Sequence, residues 1–335
     1  MEQAYKIGLA GFGMSGEVFH GPYISQNPHF TLTTVFERTT DRAGELYPVV
    51  KTVRSFEALL ESEVDVVALC VPNALHVSMA AAALEAGKHV VVEKPLAPTA
   101  AEGEMLFDLA EKRGRLLAVY QNRRYDGGFR AARELVESGT LGEILEWESR
   151  CDRWGPALRP SRWKETVQPA SGVLYDLGSH LADEVICLFG APRWVWGDLT
   201  TEREGGTIDD EFLVRLGYGG AAGGPNLRVT LRATRMAADA GERPRLTVRG
   251  RRGTFTVWGG EDAGQTGRLT LAGPEGRERF ELGIPDNAYG MFYDALYESL
   301  AHGAPLPVSR RQAAALLRVL EGAAESSATG NRVEL

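Results

Sequence analysis

Tyr5-Lys6-Ile7-Gly8-Leu9-Ala10 runs straight into Gly11-Phe12-Gly13-Met14-Ser15-Gly16, and the fold of the chain turns on how that stretch is read. Residues 5–10 are mostly apolar or β-prone and predict a strand, and the glycine turn follows without a spacer and opens a helix-like segment. A turn that takes a pyrophosphate needs glycine at three places. Gly11 permits the tight turn, Gly13 lets the backbone approach the phosphates, and Gly16 lets helix and strand pack closely. The helix N-terminus then presents free N–H groups and a partial positive charge to the anion. Phe12, Met14 and Ser15 complete the turn and count with the glycines as cofactor-binding residues. The glycine string alone is a weak signal. Here Glu37 also lies 21 residues beyond Gly16, at the end of a second strand-like run, close to the spacing of a carboxylate that binds ribose hydroxyls.

Outward from that turn the rhythm of strand and helix continues. Strand-like runs recur at 30–36, 64–71, 89–92 and 115–120, with helix-like segments at 74–86 and 99–113 between them. Thr99 with Glu102 three residues on forms a capping-box pattern, and Gly87 follows the earlier helix as a C-cap. Valine-rich strands apolar at consecutive positions suit a parallel sheet covered on both faces. Residues 1–122 are therefore expected to form a doubly wound α/β domain of the Rossmann type. Past 122 the pattern changes. Helices are predicted at 127–138 and 179–189, and strands without intervening helices at 143–151, 194–200, 211–216, 227–233, 245–250 and 254–258. Two helices, 288–302 and 309–327, close the chain, and the glycine-rich stretches 219–226 and 259–277 read as surface hairpins or loops. Residues 123–335 are thus expected to form a second, α+β domain with a large, mainly antiparallel sheet.

Bulk properties narrow the function. A length of 335 residues favours two domains over one core. The net charge is −8 with no basic stripe, which argues against a nucleic-acid partner. No apolar run is long enough to span a bilayer, and residues 1–10 lack the pattern of a secretory signal. Cys70, Cys151 and Cys187 read as core thiols of a reducing compartment, so a cytoplasmic location is expected. No His or Cys cluster has metal-ligand spacing, and no metal is expected.

The cofactor preference and the reacting groups follow from position. Glu37 would repel a 2′-phosphate and favours NAD, whereas Arg38 would pair with that phosphate and Thr39 assist. The balance leans to NAD and leaves NADP open. Pro72, Asn73 and His76 follow a strand's carboxyl end, where such sheets bind ligands, although Asn73 also suits a helix cap and His76 a packed core position. Glu93 and Lys94 follow the next strand, so Lys94 is expected to face the nicotinamide crevice. Asp176 and His180 are four residues apart and share one face of a helix. A neutral His near its ordinary pKa takes the proton leaving a hydroxyl as hydride departs. The structural alternatives are a surface Lys94, an N-capping Asp176 and a satisfied core His180. Asp183, three residues beyond His180, would bind substrate or face solvent. Trp154 and Trp163 flank an irregular loop and would stack on a ligand or pack beneath it. Asn287 and Tyr289 precede a helix and would reach the pocket, or Asn287 would cap.

Three blocks carry a resemblance. Glu93-Lys94-Pro95 resembles the E-K-P signature of the Gfo/Idh/MocA oxidoreductases, the glucose-fructose oxidoreductase and inositol dehydrogenase family. Ser171-Gly172-Val173-Leu174-Tyr175-Asp176-Leu177-Gly178-Ser179-His180 resembles its G-G-x-x-x-D-x-G-x-H element, and Gln121-Asn122-Arg123-Arg124-Tyr125-Asp126 the segment crossing between its domains. Within the family these blocks are most similar to the NADP-linked scyllo-inositol dehydrogenase branch, from which Glu37 departs.

The resemblance implies that Lys94, Asp176 and His180 are the catalytic group, with Lys94 or His180 as base. Arg123, Tyr125 and Asp126 would reach substrate hydroxyls or, just as readily, make an interdomain ion pair, and the resemblance implies that Gln121 touches the cofactor. The implied activity interconverts a secondary hydroxyl and a ketone on a cyclic polyol, sugar or sugar derivative, in a homodimer or homotetramer. The arginines at 123, 124, 159 and 162 leave room for a carboxylate on the substrate. Two rivals are a cofactor-retaining glycosidase or sugar–sugar oxidoreductase, and a non-catalytic nicotinamide-binding sensor.

Overall fold

A computed structural model describes residues 4–159, 163–219, 226–260 and 264–335. The chain divides into two compact units, residues 1–122 with 289–314, and residues 123–288 with 315–335.

The first unit is built on β1 (Tyr5–Ala10), β2 (Phe30–Phe36), β3 (Lys51–Val53), β4 (Val66–Leu69), β5 (His89–Glu93) and β6 (Leu117–Tyr120). They form one sheet in the order β3-β2-β1-β4-β5-β6, and each neighbouring pair is parallel. This is the strand order of a dinucleotide-binding sheet, with its reversal between β1 and β4. All four residues of β4 and of β6 are buried, as a sheet covered on both faces requires. The capping box forms as read, since Thr99 Oγ accepts from the Glu102 amide and Gly114 ends that helix in the left-handed region.

The expected boundary at 122 meets one difference. The helix Gly290–His302 belongs to the first unit and not to a continuous second domain. Its buried Phe292, Tyr293, Leu296 and Tyr297 explain why. Tyr293 and Tyr297 pack edge-on to Phe30, and Phe292 packs edge-on to Tyr120. An amphipathic pattern reveals that a helix has an apolar face but not which core it fills.

In the second unit β7 (Ile144–Arg150), β8 (Trp194–Thr200), β9 (Glu211–Gly217), β10 (Arg228–Thr234), β11 (Leu246–Gly250), β12 (Gly253–Trp258), β13 (Thr266–Gly273), β14 (Gly276–Gly283) and β15 (Val333–Glu334) form the second sheet. Their order is β14-β13-β12-β11-β7-β10-β9-β8-β15. β7 and β10 run parallel, and the other pairings are antiparallel. Trp147, Phe212, Leu231, Val248 and Phe255 turn to one side and share a core with Phe129, Leu181, Val185, Leu316 and Leu320 from helices. β13 and β14 pair antiparallel as a hairpin that begins within the stretch 259–277, expected as hairpin or loop, and runs beyond it to Gly283. Residues 220–225 and 261–263 of the expected loops lie outside the described residues. Among the described residues no helix is long and apolar enough to cross a membrane.

Candidate active site

In the first unit the candidate residues gather at the carboxyl ends of four adjacent strands. Gly11 to Gly16 follow β1, Pro72 and Asn73 follow β4, Glu93 ends β5 with Lys94 behind it, and Gln121 follows β6. Gly11 adopts φ +100°, and a Cβ there would meet the Cys70 carbonyl oxygen at 2.6 Å. Gly16 is held as closely, 2.7 Å from the Gly11 carbonyl oxygen to an added Cβ, whereas nothing crowds Gly13 within 4 Å. Gly13 and Met14 are exposed, Phe12 is buried, and Ser15 is half-buried. Ser15–His20 winds as a π-type turn before the helix Gly21–Gln26. Pro22, which has no N–H to offer the preceding turn, supplies a physical reason for that widening.

Two candidates behave differently from their expected roles. The Glu37 carboxylate is 5% exposed. It accepts hydrogen bonds from Thr40 Oγ1 at 2.5 Å and the Ala43 amide at 2.9 Å. It therefore caps the helix Arg42–Leu46 from within the protein. Arg38 beside it is exposed and has no partner among the described residues. His76 is fully buried, with Nδ1 2.7 Å from the Pro95 carbonyl and Nε2 3.0 Å from the Val71 carbonyl. Burial lowers its pKa against the pull of those carbonyls. It ties the segment after β4 to the segment after β5, the packed alternative in its sequence reading. Asn73 opens a short 3₁₀ turn, while Leu75 occupies the N-cap position of the following helix without a side-chain cap. Gln121 is 1% exposed, and neither atom of its side-chain amide has a hydrogen-bond partner among the described residues. A buried amide of that kind calls for an explanation, and a polar ligand group is one.

In the second unit Asp176 and His180 do share a side. Leu174–Gly178 is a π-type turn that continues into the helix Ser179–Phe189. Between Val173 and Ile186 every residue is buried except Tyr175, Asp176 and His180. Gly178 occupies the helix N-cap position, so Asp176 is not the cap. The Asp176 carboxylate meets Lys164 Nζ at 2.7 Å and the Arg235 guanidinium at 4.0 Å. The turn itself is held by Asp209, which accepts from the Leu174 amide at 2.7 Å. Burial pushes the Asp209 pKa up to about 6.

Behind this strip lies a network of buried ion pairs. Arg124 grips both oxygens of Asp183 at 2.7 Å. Arg245 bridges Glu184 at 2.9 Å and Asp126 at 3.3 Å, and Arg123 reaches Asp126 at 3.2 Å. Burial pushes the Glu184 pKa up to about 7 even with Arg245 beside it. Asp183 is thus buried and paired and does not face solvent, and the Arg123–Asp126 pair is local, three residues apart within the second unit, and not one between domains. Tyr125 remains half-buried. Asn287 Oδ1 accepts from the Gly127 amide at 2.9 Å, so it caps a helix, although not the one it precedes. Trp154 is 57% exposed, while Arg162 and the Trp163 side chain lie outside the described residues. His20, Lys164, Asp209, Arg235 and Arg245 escaped the sequence reading. Each is a lone charged or titratable residue without a motif, and only the fold gives it a partner.

A sheet of this order with a glycine turn after its first strand is that of a dinucleotide-binding domain. Residues 5–121 match the model of an oxidoreductase family with an NAD-binding Rossmann fold, and residues 129–256 match the GFO/IDH/MocA C-terminal domain. The chain belongs to the Gfo/Idh/MocA oxidoreductase family. It is 32% identical to the scyllo-inositol 2-dehydrogenase (NADP+) IolW of Bacillus subtilis, over 96% of this chain and 93% of that one. It is 35% identical to the uncharacterized oxidoreductase YdgJ of Escherichia coli, over 98% and 97%. The solved structure of yvaA from Bacillus subtilis aligns at TM-score 0.92 with 30% identity, covering 99% of each chain.

Proposed function

We propose that the chain interconverts a secondary hydroxyl and a ketone on a cyclic polyol, inositol-like, or on a sugar derivative, with NADP as its preferred cofactor. In this reading the first unit holds the dinucleotide and the second receives the substrate. The observation that carries the reading is the accessible pair Asp176 and His180 on an otherwise buried helical segment, in a chain whose Lys94 directly follows a strand of the dinucleotide-binding sheet. The similarity to an NADP+-linked scyllo-inositol dehydrogenase supports the substrate class.

The residues present fit a dinucleotide. The open space at Gly13 would admit the pyrophosphate against the backbone, and the unsatisfied Gln121 amide would meet a polar group. Arg38 is free to pair with a 2′-phosphate, while Glu37 spends both oxygens on its own helix. When bound, the nicotinamide supplies a two-electron hydride acceptor. Lys94 hydrogen-bonds the substrate oxygen, and either His180 Nε2 or Lys94 Nζ takes the hydroxyl proton as the carbonyl forms. Asp176, balanced by Lys164 and Arg235, orients a substrate hydroxyl or His180.

Fluorescence titration with NADPH and NADH, followed by absorbance assays on inositols, aldoses and their keto forms, tests the reading. Lys94→Ala and His180→Ala are expected to lose about 10²–10⁴-fold in kcat with cofactor affinity kept. Tight cofactor binding without turnover on any substrate, or no binding of either nucleotide, overturns it.

A further inference from the structure

The first unit holds a charged cluster that ties Ser15 and Glu93, from two of the motifs above, to His20, which lies outside every motif. His20, the last residue of the π-type turn, is fully buried. Its Nδ1 lies 2.6 Å from the Tyr293 hydroxyl and its Nε2 3.1 Å from Glu93 Oε1. The ring packs on Tyr120 with centroids 4.1 Å apart, and the Cys70 thiol also faces it. Glu93 in turn accepts a hydrogen bond from Ser15 Oγ, and its other oxygen accepts from the Lys94 amide at 3.2 Å. Burial lowers the His20 pKa, but Cys70 and Glu93 more than reverse this and raise it to about 10. Burial raises the Glu93 pKa, and His20, Ser15 and Lys94 outweigh it, so that the net shift is downward.

A largely buried carboxylate such as Glu93, 16% exposed, stays ionised and in one orientation only where its partners hold it. Glu93 has three tethers: His20 from behind, Ser15 in the glycine turn, and the backbone of Lys94. Ser15 and Glu93 are 78 residues apart in sequence, yet the turn that would take the phosphates and the lysine that would meet the substrate share this one side chain. Without His20, the carboxylate keeps its two working contacts but loses its charged support. We propose that His20 is a positioning residue: by anchoring Glu93 it locks the phosphate-binding turn and Lys94 into one hydrogen-bonded unit. This inference rests on the reading of Lys94 as an active-site group.

Four variants test it: His20→Phe, His20→Gln, Glu93→Gln and the double variant His20→Phe with Glu93→Gln. His20→Phe is expected to lower kcat about 10–100-fold, the usual range for outer-shell partners, with the hydroxyl-substrate KM within about twofold. His20→Gln, whose amide reaches Glu93, recovers most of that loss. In the Glu93→Gln background His20→Phe costs less than about threefold more, because the group it anchors is gone. Full kcat in His20→Phe, or losses that multiply in the double variant, overturns the proposal.

A second readout needs no substrate. The rate at which acetic anhydride labels Lys94 in the NADPH-free protein, followed by peptide mass spectrometry, is expected to rise in His20→Phe and Glu93→Gln. It should stay near wild type in His20→Gln. An unchanged rate in His20→Phe also overturns the proposal. If the wild type turns over none of the substrates, the proposed function falls, and the labelling still decides the role of His20. Should His20→Phe fail to fold, His20→Asn, which is shorter, takes its place in both assays.

Discussion

Glu37 and Arg38 are neighbours with opposite fates, and the proposed preference for NADP rests on that difference. The Glu37 carboxylate turns inward onto Thr40 and Ala43, while Arg38 stands in solvent. Arg38→Ala is expected to weaken NADPH binding tenfold or more, about 1.4 kcal/mol, and to leave NADH within about twofold. Glu37→Ala is expected to leave both affinities near wild type and to cost about 0.5–2 kcal/mol of stability as a lost cap. A fall in NADH affinity in Glu37→Ala would restore that carboxylate as a ribose ligand. Fluorescence titration and denaturant unfolding separate the two roles. Spacing found Glu37 because distance along a chain is fixed by sequence, but the direction of its side chain depends on Ala43, six residues on. His20 was illegible for the same reason, since its partner Glu93 lies 73 residues away. Its pKa is raised from 6.5 to about 10 in the folded protein. The stability it contributes is therefore fully present below about pH 6.5 and lost as the pH rises through about 10. Unfolding midpoints at pH 6 and pH 10 should differ more in wild type than in His20→Phe, and an equal difference would assign the pH dependence to other groups.

The element that carries Asp176 depends on one backbone position. Gly172 adopts φ +93°, and a Cβ there would sit 1.7 Å from Asp209 Oδ1. Asp209 is the residue that accepts from the Leu174 amide and starts the π-type turn. Gly172→Ala is expected to cost about 1–3 kcal/mol of backbone strain, read as a lower denaturant midpoint, and to lower kcat by displacing Asp176. A variant with wild-type stability and activity would show that the turn has slack. The motif made this glycine legible, and the fold adds the reason, which is the close approach of Asp209. Long elements with one buried face were equally legible, as at β1, β2, β8 and the helix Ser179–Phe189, whose bounds agree with the sequence reading. β13 and β14 were legible only as a glycine-rich hairpin or loop without strand bounds. β14 has the burial pattern eeeeeeie, with no residue buried, and an edge strand of that kind has no hydrophobic period to detect. Its charged Arg277, Glu278, Arg279 and Glu281 suit an exposed edge that must not pair with other chains. β3 and β15, three and two residues long, are too short for any periodicity.

At the scale of the whole molecule, the sequence revealed the two architectures and their order but not the return of the chain to the first unit. That return is decided by ring packing between Phe292, Tyr293 and residues far away in sequence, which no local pattern records. The second sheet has a further property of this scale. Its strands alternate between the core positions Trp147, Val214, Leu231 and Val248 and positions on the opposite side. On that opposite side Trp194, Trp196 and Trp258 are half-exposed. Arg332 lies over Trp194, Arg215 over Trp196 and Arg268 over Trp258, at 5.2, 5.9 and 5.1 Å. Tryptophan and arginine are the residues most enriched where protein surfaces meet, and a large sheet face carrying both is costly to leave in water. The homo-oligomer that the family resemblance implies should therefore form through this face. Light scattering at micromolar concentration is expected to give a mass two or four times 36.4 kDa. Trp196→Glu should lower that mass while leaving the circular dichroism of the fold intact, because Trp196 lies outside the core cluster. A wild-type monomer would remove the sheet face from consideration, and an oligomer indifferent to Trp196→Glu would move the interface elsewhere on the second unit or onto the first.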